Sequence, residues 1–160
     1  MLTQEYLKAH LHYNPETGLF ARIKSNGTAH VGDIAGNLSS TGYVYISLNN
    51  KSYRAHRLVW LYLYGAFPIS NLDHINCIRN DNRLANLRIC NNQQNGFNSK
   101  IQSRNKFGLK GVKQIGNRFA GKVTHNYKTI HLGMYATPEK AHQAYLNYVE
   151  SQHPSFSRSN

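Results

Sequence analysis

The stretch DHINCIRNDNRLANLR, residues 73–88, decides the fold. Asp73 and His74 end a strand-like run, Asn86–Ile89 begin a second one, and the polar loop NCIRNDNRLA lies between them. Beyond it, Asn91–Asn95 open a short helix that Gly96 is expected to stop. In that order of elements, Asp73 and Asn95 bring two oxygen donors toward one ion, with His74 beside it. Few protein ligands and several open positions suit Mg²⁺, which keeps its waters and also binds substrate phosphate. An Asn- and Asp-rich segment is more often a plain set of turns, and a histidine on a strand is more often structural. A calcium loop is excluded, because DHINCIRNDNRL lacks the sixth-position Gly and the terminal Glu such a loop needs.

Composition narrows the partner. The 160-residue chain carries 19 Lys and Arg against 7 Asp and Glu, a formal charge of +12, and its pI is near 9.9. A polyanion is the first partner to consider, nucleic acid before anionic membrane. The longest apolar run, LVWLYLY at 58–64, is far short of the roughly 20 residues a membrane span requires. The N-terminal residues mix charge into every turn and lack the apolar core of a secretory signal, which predicts a cytoplasmic protein. With only Cys77 and Cys90, neither a disulfide framework nor a four-Cys zinc site can form. A mixed zinc site of His74, Cys77 and Cys90 lacks a well-spaced fourth ligand.

The chain reads as two pieces. Residues 1–104 hold 11 basic and 5 acidic side chains and residues 105–160 hold 8 and 2, so both pieces are equally cationic. The polar, basic stretch 98–108 reads as the junction. In the first piece, Thr3 caps a short helix through His10, ended by NPETG at 14–18. Strands are expected at 18–23, 42–48 and 51–56, the last two joined by the Asn49-Asn50 turn. The run 58–64, followed by Gly65 and Pro68, predicts a helix with a Gly stop. In the second piece, 109–116, 118–125 and 128–135 read as three strands. A helix follows, capped by Thr137 with Pro138 in its first turn, and Ala141, Ala144, Tyr145, Tyr148 and Val149 form its apolar stripe.

With these residues in view, the run HRLVW, DHIN, DNRLANLR and QN resembles the HNH family of nucleases (the His-Me finger fold), and in particular the phage and intron-borne homing endonucleases. YNPETGLF, GDIAG and GYVYISL also resemble the segment preceding the motif in those proteins. The resemblance implies an α+β fold whose nuclease core is a β-β-α metal site. It implies that His74 is the general base and that Asp73 and Asn95 hold one divalent ion, Mg²⁺ or Mn²⁺. Asn86 would orient His74 or brace the loop, and products would carry a 5′-phosphate and a 3′-hydroxyl. The final motif position is Asn95 rather than His, so the letters read His-Asn-Asn, a substitution common among homing members. An ordinary imidazole titrates near pH 6.5 and can accept a proton at pH 7. His56, in AHRLVW, is either near the metal face or a helix-start histidine. Arg57, Arg79, Arg83 and Arg88 are unranked candidates for phosphate.

Residues 110–150 resemble the AP2 DNA-binding domain, three antiparallel strands backed by one helix, in Gly111-Val112, RFAGKV, HLGMY and the helix start Thr137-x-Glu139-x-Ala141. The family lays its sheet in the major groove, which implies double-stranded DNA as partner. Alternation points Phe119, Val123, Ile130 and Leu132 at the helix. It leaves Arg118, Lys122, Thr129 and His131 on the open face, with Lys110 and Lys113 on the first strand, and makes Arg118 the best single base reader. The expected organisation is an HNH nuclease domain at 1–100, a linker at 101–108 and an AP2-like DNA-binding domain at 109–153. No membrane and no small-molecule cofactor are expected, and the choice between monomer and homodimer stays open. The competing readings are a DNA-binding regulator without catalysis and a structure-directed repair nuclease.

Overall fold

The computed structural model describes residues 1–25 and 27–156. It divides into two compact units, Met1–Cys90 and Asn91–Asn160. The fold is α+β, built from small antiparallel sheets.

In the first unit, helix α1, Gln4–Lys8, starts where the Thr3 hydroxyl accepts a hydrogen bond from the Tyr6 amide at 3.2 Å. It stops short of the expected His10. Leu11 and Tyr13 alternate with exposed His12 and Asn14, and this period of two makes Leu11–Asn14 strand β1 rather than a helix end. β1 pairs with β2, Leu19–Arg22, across the NPETG turn. Strands β3, Asn37–Leu38, β4, Val44–Leu48, and β5, Lys51–Arg54, form a meander. Asn49 and Asn50 both adopt positive φ, 50° and 57°, in the expected two-residue turn. Helix α2, Ala55–Tyr64, starts three residues earlier than expected and so takes in His56. Gly65 ends it in the left-handed region, its amide bonded to the Leu61 carbonyl at 3.0 Å.

Strands β6, Asn71–His74, and β7, Leu87–Cys90, pair antiparallel, setting Asp73 opposite Arg88 and His74 opposite Leu87. Asn86 was expected in the second strand. It closes a 3₁₀ turn, Leu84–Asn86, because its side chain is committed to the loop rather than to a sheet face. Leu7, Leu11, Phe20, Ile46, Leu58 and Val59 form the fully buried centre of this unit's core.

The second unit begins with α3, Asn92–Asn98, whose cap Asn91 exchanges reciprocal hydrogen bonds with Gln94. This division groups α3 with the C-terminal segment, whereas the sequence reading carried the nuclease piece to residue 100. Gly96 does not stop the helix but lies inside it, with Ser99 at the C-cap. Strands β8, Val112–Ile115, β9, Arg118–His125, and β10, Lys128–Tyr135, form one antiparallel sheet in the order β10-β9-β8. Lys110 precedes β8 rather than lying on it. Helix α4, Pro138–Gln152, packs on this sheet through Ala141, Tyr145 and Val149, and His142 joins them in burial. No helix among the described residues is long and apolar enough to cross a membrane.

Candidate active site

The β6–β7 hairpin positions the chemistry. Asp73 and His74 are adjacent on β6 and both are buried. Across the hairpin, Arg88 donates to Asp73 Oδ2 through Nη2 at 2.9 Å and Nε at 3.1 Å, a charge-assisted pair on one carboxylate oxygen.

The imidazole of His74 meets a residue that the spacing did not single out. Its Nε2 lies 3.1 Å from Asn82 Oδ1. Asn82 is 2% exposed, and its Nδ2 donates to the Asn80 carbonyl at 3.4 Å, which makes Oδ1 the atom facing the ring. A carbonyl oxygen only accepts, so Nε2 carries the proton and the basic lone pair sits on Nδ1. Burial lowers the His74 pKa below the ordinary 6.5, while the Asn82 hydrogen bond and the charge of Asp73 oppose that shift. The ring is therefore neutral at pH 7, the state a general base requires.

Asn86 does not contact the imidazole in this way. Its Oδ1 accepts from the Asn76 amide at 3.0 Å and its Nδ2 donates to the Asp81 carbonyl at 2.8 Å, tying the two ends of the loop. These are the bonds of a loop brace. Asn76 adds a bond to Asp81, whose carboxyl is held down at about 2, chiefly by Arg83. Asn82, read as a loop-shaping residue like Asn76 and Asn80, instead meets the His74 ring. Nothing in its spacing distinguishes it; only the turn that folds the loop back over β6 does.

Two more rings stand beside His74. The His56 ring lies edge-on to His74 at 5.0 Å, and Tyr43 approaches both imidazoles at 5.4 Å and 6.0 Å. Burial, with the neighbouring His74, pushes His56 down to about 3, so it too is neutral. The guanidinium carbons of Arg54 and Arg79 lie 4.7 Å and 5.0 Å from the Tyr43 ring centre, placing two cations beside the histidine pair. Arg83 is committed to Asp81, Arg88 to Asp73, and Arg57 to the Pro68 carbonyl at 3.3 Å. Arg54 Nε likewise donates to the Tyr45 hydroxyl at 3.0 Å and Arg79 Nη1 to the Thr41 carbonyl at 2.9 Å, so it is their contact with Tyr43, not a lack of partners, that sets these two beside the histidines.

Asn95 lies on α3 in the second unit, exposed, so the structure brings together Asp73, His74 and Asn86 on one hairpin and leaves Asn95 on another element. Among the described residues no three His, Cys, Asp or Glu side chains gather as a ready metal cage. The buried thiol of Cys90 is pushed up to about 11 by burial. A buried carboxylate next to a neutral imidazole fits a hard divalent ion that takes few protein ligands and keeps its waters.

In the second unit, register assigns the basic face. Gly121 lies against α4, where an added Cβ would meet the Ala141 carbonyl at 3.0 Å. Arg118 and Lys122, odd steps away on β9, project from the opposite side, and pairing adds His131 opposite Lys122, Thr129 opposite Thr124 and Lys113 opposite Ala120. The side chains of Lys113, Arg118, Lys122, Thr129 and His131 are all exposed, and Lys122 and Thr129 also border a cleft. Lys100, Arg104, Lys110 and Lys122 line one cleft with Thr124 and Thr129. Two of the expected residues also bond to their own unit, Lys110 Nζ to the Phe97 carbonyl at 2.6 Å and Arg118 Nη2 to the Met134 carbonyl at 2.9 Å.

Comparison with known proteins bears on the first of these sites. Residues 53–97, which contain Asp73, His74, Asn86 and Asn95, match the HNH endonuclease family. A solved structure described as "DNA binding and cleavage by the HNH homing endonuclease I-HmuI" aligns over 91% of this chain and 78% of that one, at 18% identity and a TM-score of 0.42. No curated protein sequence matches. The family match supports a DNA-cleaving enzyme, with DNA as its partner.

Proposed function

We propose that the chain is a metal-dependent DNA endonuclease of the homing type, in which His74 is the general base for hydrolysis of a phosphodiester. The observation that carries this reading is the buried His74, its Nε2 3.1 Å from Asn82 Oδ1, next to Asp73 within the segment that matches the HNH family. His74 Nδ1 takes a proton from water as the oxygen attacks phosphorus, and the bond to the 3′ oxygen breaks, leaving a 5′-phosphate and a 3′-hydroxyl. Arg54 and Arg79 offset phosphate charge on the histidine side. Asp73, with Asn95 by the resemblance of its motif position alone, would supply oxygen donors to a divalent ion, Mg²⁺ or Mn²⁺. Such an ion, when bound, stabilises charge on the phosphate and the leaving oxygen.

The second unit is proposed as an AP2-like targeting module. Lys113, Lys122, Thr129 and His131 face duplex DNA, Lys110 borders them, and Arg118 reads bases with the donors not given to Met134. The homing assignment rests on the motif resemblance together with this second DNA-directed unit.

The test is cleavage of supercoiled DNA with Mg²⁺. His74→Ala is expected to slow cleavage on the order of 10²- to 10⁴-fold while DNA affinity stays nearly unchanged. Equal rates for variant and parent would reject His74 as base. Salt-sensitive binding without strand breaks under any divalent ion would identify a regulator instead, and cleavage indifferent to sequence across a genomic library would identify a repair nuclease.

A further inference from the structure

We infer that Asn82 is a positioning residue for His74 and that the β1–β2 hairpin, outside the matched segment, is built to hold Asn82 in place. The consequence for activity rests on the proposed function, whereas the positioning itself does not. Four observations converge. Asn82 Oδ1 is within hydrogen-bond distance of His74 Nε2, and the residue is almost wholly buried. Its carbonyl accepts the Tyr13 hydroxyl at 2.9 Å, a buried bond spanning 69 residues of sequence. The Asn82–Arg83 backbone packs against Gly18, where an added Cβ would stand 2.4 Å from the Arg83 amide nitrogen and 2.6 Å from the Asn82 carbonyl carbon. Tyr13 is itself clamped in the core, its ring 5.1 Å from Phe20 and 5.9 Å from Tyr62.

A chain of contacts thus runs from the core through Tyr13 to the Asn82 backbone, and through the Asn82 amide to the imidazole. Each link has a chemical reason. A neutral acceptor on Nε2 favours the tautomer protonated there, the form whose Nδ1 accepts a proton. A buried amide holds that aim only if its own backbone is fixed. The phenol and the glycine seat supply that restraint from a strand far away in sequence.

The tautomer is read directly from the ring ¹⁵N shifts of His74 in the full chain without metal, at a pH where the ring is neutral. The parent is expected to show Nε2 protonated. Asn82→Leu, of similar volume without an acceptor, is expected to mix the tautomers, and Asn82→Asp, which keeps the oxygen, to restore Nε2–H. A parent protonated at Nδ1, or an Asn82→Leu spectrum identical to the parent's, overturns the inference whether or not the protein cuts DNA. If Asn82→Leu does not fold, the parent spectrum and Asn82→Asp still decide. In cleavage assays Asn82→Leu is expected to lose on the order of 10- to 100-fold in kcat with DNA affinity unchanged, part of what a general base contributes. In a His74→Ala background the same change should cost nothing more. An equal loss in both backgrounds would show that Asn82 acts on the fold rather than through His74.

Discussion

Neutral, buried histidines have a thermodynamic signature. His56 titrates at about 3 in the folded protein and at its ordinary 6.5 when unfolded, so between those values the unfolded chain binds more protons. Stability therefore rises with pH through this window, is fully present above 6.5, and drains away as pH falls toward 3. His74, also depressed, adds a change of the same sign. The groups facing His56 oppose its protonation too, since Arg54 and Arg57 are cationic and His74 is its neighbour. Melting temperatures recorded from pH 8 to pH 4 should fall on the acid side, and His56→Gln should flatten that fall. The difference should reach on the order of 3 kcal/mol by pH 4. At this scale Asp73, His74 and Asn86 stood out by their places in the motif. Asn82 was invisible for the opposite reason: four asparagines share one loop, and only a three-dimensional turn decides which amide meets the ring.

Elements form where local signals agree and shift where two signals overlap. Thr3, Gly65, Thr137 and the Asn49-Asn50 turn each mark a boundary through a specific hydrogen bond or backbone conformation, so those boundaries were legible. Strand β1 was not, because the residues between a capped helix read through His10 and the turn at 14–18 are too few to show an alternation. Gly96 shows the converse error. A glycine inside a seven-residue helix reads as a stop, yet the Asn91-Gln94 box nucleates the helix strongly enough to run past it. No heavy atom lies within 4 Å of where its Cβ would stand, and its φ is not positive. Gly96→Ala should therefore stabilise the protein by about 0.5–1 kcal/mol, read as a higher denaturant midpoint. A helix-ending glycine would have given the reverse.

Across the whole molecule, charge dominates. The formal +12 is shared between the two halves of the sequence, and cationic groups occur both beside the histidine pair in one unit and along the sheet cleft in the other. Binding to duplex DNA should weaken steeply with salt, and Lys122→Ala should reduce the slope of log K against log salt by about 1, with nearly the same loss on any sequence. The sequence reading put the junction at the polar, basic stretch 98–108 whereas the units divide at Cys90–Asn91, and the cleft was not legible, because alternation along a strand carries no information about what lies over it. The seat that Gly18 makes for the Asn82 backbone has a consequence for protein engineering. Residues 53–97 are not a transplantable cassette: moved into another scaffold without residues 11–22, they would carry every letter of the motif and arrive without the clamp that aims His74.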